Sequence, residues 1–257
     1  MGNIFEKILE VQKGRKGSAL VTVTRTEGST PRNAGSKMIV FADGEIFGSV
    51  GGSVVEALVV EKAKECIRSG KCVTVSHDLE DPEEKDTGMV CGGMMDFFIE
   101  PLNTAPHVFL FGAGHVAVPV ASLAHQVGFE YTIIDDREAF ANQERFPDAC
   151  EIVVEDLEKY AKALELRSSD FVVIMTRGHL HDYHVAKGII KKSCRYVGMI
   201  GSESKRKETF AKLCEDGISE DLLKRVHTPI GLEIHAETPE EIAVSILAEM
   251  IKVKYEG

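Results

Sequence analysis

A surplus of positive charge is missing from this 257-residue chain: 30 Lys and Arg stand against 41 Asp and Glu, a net charge of -11. That balance excludes nucleic acid or an anionic membrane surface as the expected partner, while leaving room for a local basic site around a phosphorylated ligand. Cysteine pairs with metal or redox spacing are missing as well. The six cysteines, at 66, 72, 91, 150, 194 and 214, form no C-x-x-C and no zinc-ribbon pattern. A chain of this length needs no disulfides, so reduced thiols and a cytoplasmic setting are expected. No long uninterrupted apolar run occurs. The most apolar window, 108–127, is interrupted by Gly112, Gly114 and Pro119, and reads as strand plus helix with no membrane span. The opening MGNIFEKILEVQKG mixes acids and bases as an amphipathic helix does, unlike a secretion signal. Repeats and low-complexity tracts are absent.

What is present centres on VFLFGAGHVAVPVASLAHQVGFEYTIIDD, residues 108–136. Val108–Phe111 is a short apolar run rich in strand formers. Gly112, Gly114 and the small Ala117 follow, then an apolar helical segment to Gln126, a stop at Gly128, and a second strand ending on Asp135 and Asp136. This is a G-x-G-x-x-A fingerprint in strand–turn–helix–strand context. Gly112 makes the tight turn, Gly114 lets backbone amides approach a pyrophosphate, and Ala117 lets the helix pack close to the sheet. The pattern predicts a Rossmann-like parallel sheet. The plain alternative is a glycine turn in an ordinary α/β unit that binds nothing.

Before this stretch the elements read as α+β. A helix is expected over 3–13 and strands over 18–26, 37–42 and 45–47, with Asp43-Gly44 as a hairpin turn. A helix to Ser69 with Gly70 as its C-cap follows, then strands over 71–79 and 94–101. Three glycine loops punctuate this half, at 27–36, 48–53 and 89–93. After Asn103-Thr104-Ala105-Pro106, strands near 108–111, 131–135, 151–154, 170–175 and 195–200 alternate with helices near 115–127, 156–165, 182–192, 202–215 and 238–253. Thr238-Pro239-Glu240-Glu241 is a helix start with an N-cap threonine, an N1 proline and an N3 glutamate. The fold class is therefore α/β: an N-terminal α+β domain over 1–103 and a C-terminal Rossmann-like nucleotide-binding domain over 104–257.

Ligands of an open parallel sheet sit beyond the carboxyl ends of its strands, at the switch in strand order. That rule gathers Gly112, Gly114 and His115; Asp135, Asp136 and Arg137; Arg177 and His179; and Gly201 with Ser202. Asp135 would accept a ribose 2′-hydroxyl, which favours NAD, whereas Arg137 would suit the 2′-phosphate of NADP, and the choice stays open. Asp136-Arg137 reads equally as a solvated helix start. His179, His181 and His184 could hold zinc, iron or copper. The preferred alternative has Asp182 capping a helix while the histidines line a crevice or face solvent, so no metal site is assigned. Tyr183 and Lys187 make a Tyr-x-x-x-Lys pair, but the glycine pattern is wrong for a short-chain dehydrogenase. Lys205, Arg206 and Lys207 sit in the first turns of a helix, where cations oppose the dipole and suggest an anion to hold; a solvated face explains them equally. In the first domain Ser29, Arg32, Gly51 and Gly52 offer a hydroxyl, a guanidinium and backbone amides of the kind that form anion nests. Cys91, between a turn and two glycines, is the cysteine placed like a reactive thiol. Cys66, Cys150 and Cys194 are expected in the core.

Taken together these runs resemble the XdhC/CoxI family of molybdenum-hydroxylase maturation factors. The matching segments are Gly28–Arg32, Gly48–Gly52 with Glu56, Cys91–Gly93, Phe111–Ala117, Asp135–Arg137, Arg145–Pro147, Gly178–His184, Tyr196–Ser202 and Pro229–Leu232. The resemblance covers nearly the whole chain in order. It implies a cytoplasmic chaperone, and no turnover enzyme, that binds molybdenum cofactor (molybdopterin) and supports its sulfuration. It further implies delivery to a xanthine dehydrogenase-like molybdenum hydroxylase, with a cysteine desulfurase as second partner. A homodimer is the default assembly. Many relatives carry a cysteine just after the second glycine loop, where this chain has Ser53-Val54-Val55, so any role for that thiol is lost or falls to Cys91. Two alternatives use the same crevice: an NAD(P)-dependent oxidoreductase with His179 or His184 as acid–base, and a nucleotide-sensing regulatory subunit of the hydroxylase.

Overall fold

The computed structural model describes residues 3–14, 16–78, 93–102 and 105–256. The chain divides into two compact units, 1–104 and 105–257, each with its own core.

The first unit opens with α1 (Ile4–Lys13), capped by Asn3, whose side-chain oxygen accepts the Phe5 N–H at 3.0 Å. Then come β1 (Ser18–Gly28), β2 (Lys37–Phe41), β3 (Ile46–Gly48), α2 (Ser53–Ser69), β4 (Val73–Asp78) and β5 (Gly93–Pro101). The strands form one antiparallel sheet in the order β3-β2-β1-β5-β4. Period-two alternation decides its inner face: Met95, Phe97 and Ile99 of β5 are buried, as are Val21 and Val23 of β1. Helix α2 lays Val55, Val59, Ala63 and Cys66 against them, positions that share one stripe of a 3.6-residue helix. The strand expected over 71–79 runs from 73 to 78. Residues 79–92, including Cys91, lie outside the described residues.

The second unit contains β6 (His107–Phe111), α3 (Ala117–Gln126), β7 (Glu130–Asp135), β8 (Glu151–Val154), α4 (Leu157–Ala163) and β9 (Phe171–Ile174). These are followed by α5 (His179–Ile189), β10 (Tyr196–Met199), α6 (Glu203–Glu215), α7 (Glu220–Leu223), β11 (Val226–His227) and α8 (Pro239–Tyr255). Its six strands are parallel, in the order β11-β10-β9-β6-β7-β8. Strand β6 is buried on both faces. Val108 and Leu110 pack with α3 and α8, while Phe109 and Phe111 pack with α4 and α5. Each such side chain contributes roughly 1.5–3 kcal/mol by leaving water. The one polar member, His107, reaches Thr132 Oγ1 through Nε2 at 2.9 Å. Helix α8 starts on the expected capping box, Thr238 Oγ1 accepting from Glu241 N at 3.2 Å and Glu241 from Thr238 N at 3.0 Å.

Several expectations need correction. The helix expected at 182–192 begins at His179, with Gly178 as its cap. Asp182 is not the cap: its carboxylate turns back onto Thr176, accepting from the backbone N at 3.1 Å and from Oγ1 at 2.6 Å. Asp136-Arg137 starts no helix, because residues 136–150 are a chain of turns. Cys150 is exposed and Cys194 half-buried, whereas Cys66 is buried as expected and burial pushes its thiol up to about 11. The short α7 and β11 carry too few residues to show a period. Among the described residues no helix is long and apolar enough to cross a membrane.

The chain passes close to itself where β6 and β9 turn out of the sheet. Gly112 has φ 103°, and a Cβ there would lie 2.4 Å from the Met175 carbonyl oxygen. Gly112→Ala is therefore expected to destabilise the second unit by about 2–3 kcal/mol, since both the backbone angle and the neighbouring backbone resist it. A lowered urea midpoint for that unit's transition checks this.

Candidate functional site

Strand order reverses between β6 and β9, and the open crevice of a parallel sheet forms at that switch. A cavity of about 430 Å³ sits there, lined by Gly114, His115, Val116, Arg137, Phe140, Met175, Thr176, Arg177 and Ile200. Each comes from the loop after a strand's carboxyl end. Gly112 donates its N–H to Ile134 at 2.8 Å and turns the chain. A Cβ built on Gly114 would meet nothing within 4 Å, so the backbone there is open to a ligand. Among the described residues, the amides of Gly114, His115 and Val116 donate to no other group, and α3 has no side-chain cap. Ala117 is fully buried behind them, as close helix–sheet packing requires.

The acidic end of β7 is wired into this turn. Asp135 is buried, and Oδ2 accepts the Ala113 N–H at 2.8 Å while Arg137 supplies its backbone N–H at 3.0 Å and Nε at 2.8 Å to Oδ1. Arg137 Nη2 adds a bond to Oδ2 at 2.9 Å. Burial pushes the Asp135 carboxyl up, but Arg137 and the Ala113 amide outweigh it and hold the group below its ordinary value. The Arg137 guanidinium stacks on Phe140, 3.8 Å from the ring centroid. Asp136, partly exposed, pairs with Arg177 Nη2 at 2.8 Å across the mouth.

Two arginine and aspartate contacts support the loops from behind. Arg145 Nη1 donates to the carbonyls of Ala113 at 2.7 Å and Phe140 at 2.8 Å, and Nη2 reaches Gly114 O at 3.4 Å. It thereby occupies the carbonyls of the glycine loop. Asp182 anchors Thr176 under the Arg177 loop; its burial raises the carboxyl, and the Thr176 bonds recover only part of the shift. Sequence reasoning assigns neither residue to a binding site. Arg145 lies in a turn with no periodicity to mark it, and the Arg-Phe-Pro run within the resemblance is its one pointer.

The histidines do not converge on the crevice. His184 Nδ1 lies 3.2 Å from Glu158 Oε2 on α4. His179 is exposed, within electrostatic reach of Asp182 and Glu208. Among the described residues no group of His, Cys, Asp and Glu could hold a metal ion. Tyr183 and Lys187 meet, but on Asp216: the Tyr183 hydroxyl donates to its carboxylate and Lys187 Nζ lies 2.9 Å from Oδ1. Gly201 and Ser202 follow Ile200 at the end of β10, with Ser202 Oγ bonded to Ser204 Oγ at 2.9 Å.

In the first unit the loops after β1 and β3 come together. A Cβ on Gly51 would lie 3.1 Å from Pro31 Cγ, and one on Gly93 would lie 2.3 Å from Glu27 O and 3.1 Å from Ser29 N. Ser29, Gly51 and the residue two places after Cys91 therefore share the end of β1. Arg32 and Ser29 are exposed there. Glu56, from the first turn of α2, accepts from Ser49 Oγ at 2.7 Å and Val50 N at 3.2 Å. It fills part of the nest with the protein's own carboxylate.

This sheet order, with a glycine turn and open amides at the switch point, defines a Rossmann-type unit. The model of the XdhC Rossmann domain matches residues 108–250, and that of the XdhC and CoxI family matches residues 11–78. The chain belongs to the XdhC/CoxI family. It is 32% identical over 253 residues to YqeB, an uncharacterized protein of Escherichia coli (strain K12), covering 98% of this chain and 46% of that one. It thus spans about half the length of that relative. It is 23% identical over 331 residues to a probable xanthine dehydrogenase subunit of Bacillus subtilis (strain 168), covering 99% of this chain and 98% of the relative. The crystal structure of a xanthine dehydrogenase from Bacillus halodurans shares the fold, with a TM-score of 0.53 at 22% identity over 98% of this chain and 96% of that one.

Asp135→Asn is expected to cost roughly 2–3 kcal/mol, because it removes the charge opposite Arg137 and replaces one accepting oxygen with an NH2 donor that faces the N–H groups of Ala113 or Arg137. With a folded-state value below the ordinary 3.8, the carboxylate stabilises the fold at higher pH and loses that effect as pH falls through the folded value. Urea melts at neutral pH and below pH 4 check this: the gap between wild type and variant should narrow in acid.

Proposed function

We propose that this chain is a cytoplasmic accessory factor for a xanthine dehydrogenase-type molybdenum hydroxylase. In this reading it binds molybdenum cofactor, shelters it while a cysteine desulfurase partner installs the terminal sulfur, and passes it to the hydroxylase. Family membership and the likeness to a probable dehydrogenase subunit from Bacillus subtilis support the partner. The observation that carries the binding half is the open turn at Gly114, His115 and Val116 beside Arg177. Molybdopterin carries a phosphate, and its nucleotide-bearing forms carry a pyrophosphate; unpaired amides and a guanidinium fit either group. Ser29, Arg32, Gly51 and Gly52 are a separate candidate anion site within the first unit, with Cys91 as its candidate thiol. The cofactor itself supplies the redox chemistry of the hydroxylase; this chain's residues bind its anionic end, orient it and keep water from it. The accessory factor works as a homodimer, the commonest symmetric assembly.

A second reading, NAD(P) as a regulatory ligand, is favoured by the crevice itself. Its size, its Arg137–Phe140 stack and its open amides suit a dinucleotide. Hydride-transfer chemistry has less support, because His179 and His184 do not line the cavity and His115 is the imidazole that does.

Anaerobic equilibrium titrations of the full chain with molybdenum cofactor and with NAD(H) separate these readings. Gly114→Asp has room to fold, yet puts a carboxylate among the amides, so it should weaken any crevice ligand by roughly 100-fold. Arg32→Ala should weaken molybdenum cofactor about tenfold if the first unit contributes. Tight NAD(H) binding with no affinity for molybdenum cofactor would overturn the accessory-factor reading as stated.

A further inference from the structure

Asp135 stands where a ribose-binding acid is expected, at the end of the second strand after the glycine turn. Its carboxylate is already full. Two oxygens receive four donors, all from Ala113 and Arg137, and a carboxylate has about four lone-pair sites. A ligand hydroxyl could join only by displacing one of these bonds from a buried group. Arg137, which would otherwise invite a 2′-phosphate, has its charge balanced by the same carboxylate.

Asp136 is differently placed. Its side chain is 31% exposed, and its close partner is Arg177 Nη2, from a side chain 44% exposed that lines the crevice. Arg137 Nε is farther away, at 3.8 Å from Oδ1. An ion pair this open exchanges partners readily. The crevice is thus balanced by two arginine–aspartate pairs, one locked and one loose. A simple phosphate would draw Arg177 away and leave Asp136 with only the more distant Arg137, which is already bonded to Asp135. A ligand that joins a phosphate to a ribose compensates both, since its hydroxyls can donate to Asp136 as Arg177 turns to the phosphate.

We propose that the crevice selects a nucleotide with a free ribose 2′-hydroxyl, and that Asp136, not Asp135, accepts the bond from that hydroxyl while Arg177 turns to the phosphate. A 2′-phosphate would face Asp136 as a like charge. This rests on the crevice being a phosphate-binding site, as read above, and adds which ligand class it prefers and which residue decides.

Calorimetric titrations of the full chain with ADP, 2′-deoxy-ADP, inorganic pyrophosphate, NADH and NADPH test it. ADP should bind about tenfold more tightly than 2′-deoxy-ADP or pyrophosphate, and NADH about tenfold more tightly than NADPH. Asp136→Ala should erase the difference between ADP and 2′-deoxy-ADP, with an unchanged thermal midpoint as the control on folding. Arg177→Ala should weaken ADP and pyrophosphate alike and keep the 2′-hydroxyl preference. Equal binding of ADP and 2′-deoxy-ADP, a preference for NADPH, or a preference that survives Asp136→Ala would overturn this assignment while leaving the phosphate site standing. Failure of every probe, pyrophosphate included, would overturn both.

Discussion

The second unit depends on one buried carboxylate. Asp135 ties the end of β7 to the glycine turn after β6 through the Ala113 amide, and ties Arg137 to both. Taking a charge out of water is unfavourable unless its lone pairs are satisfied, and here the donors are close and come from two segments. The consequence is mechanical. With Ala113 held from the amide side by Asp135 and from the carbonyl side by Arg145, the peptide orientation of the turn is set before any ligand arrives. The amides that follow are left open as a result.

A site built this way is preorganised in its backbone and adjustable at its rim. The locked pair, Asp135 with Arg137, belongs to the fold, and the loose pair, Asp136 with Arg177, belongs to the mouth. Thr176 is held by Asp182 from below, so the Arg177 loop has a fixed root and an exchangeable tip: its side chain can trade one carboxylate for another anion. Such an arrangement presents fixed backbone donors beside an exchangeable guanidinium.

The first unit reaches a comparable end by other means. Its antiparallel sheet buries one face under α2, and its glycine loops meet where the Pro31 side chain lies against Gly51 and the Glu27–Ser29 backbone against Gly93. Glu56 occupies the amide of Val50, so an incoming anion would compete with an internal carboxylate. A ligand held there must bring more than charge.

Local pattern in the sequence was enough to specify the order and type of nearly every element. The five-residue apolar strand β6, the capping box at Thr238, the Asp43-Gly44 hairpin and the glycine turn at 112–114 all act over a few residues. Their physics is visible without the rest of the chain. Two short elements, α7 and β11, had too few residues for a period to show. The long-range partners of the charged groups were decided only by tertiary structure. Nothing local distinguishes Asp135 from Asp136, yet one faces the Ala113 amide 22 positions earlier in the chain and the other faces Arg177, 41 positions later. Likewise, Asp182 has the local setting of a helix cap until Thr176 is brought against it, and His184 that of a crevice residue until α4 presents Glu158. Backbone preference is a property of neighbours in sequence, whereas the role of a charge depends on which distant groups the packing of the sheet and helices brings within about 3 Å.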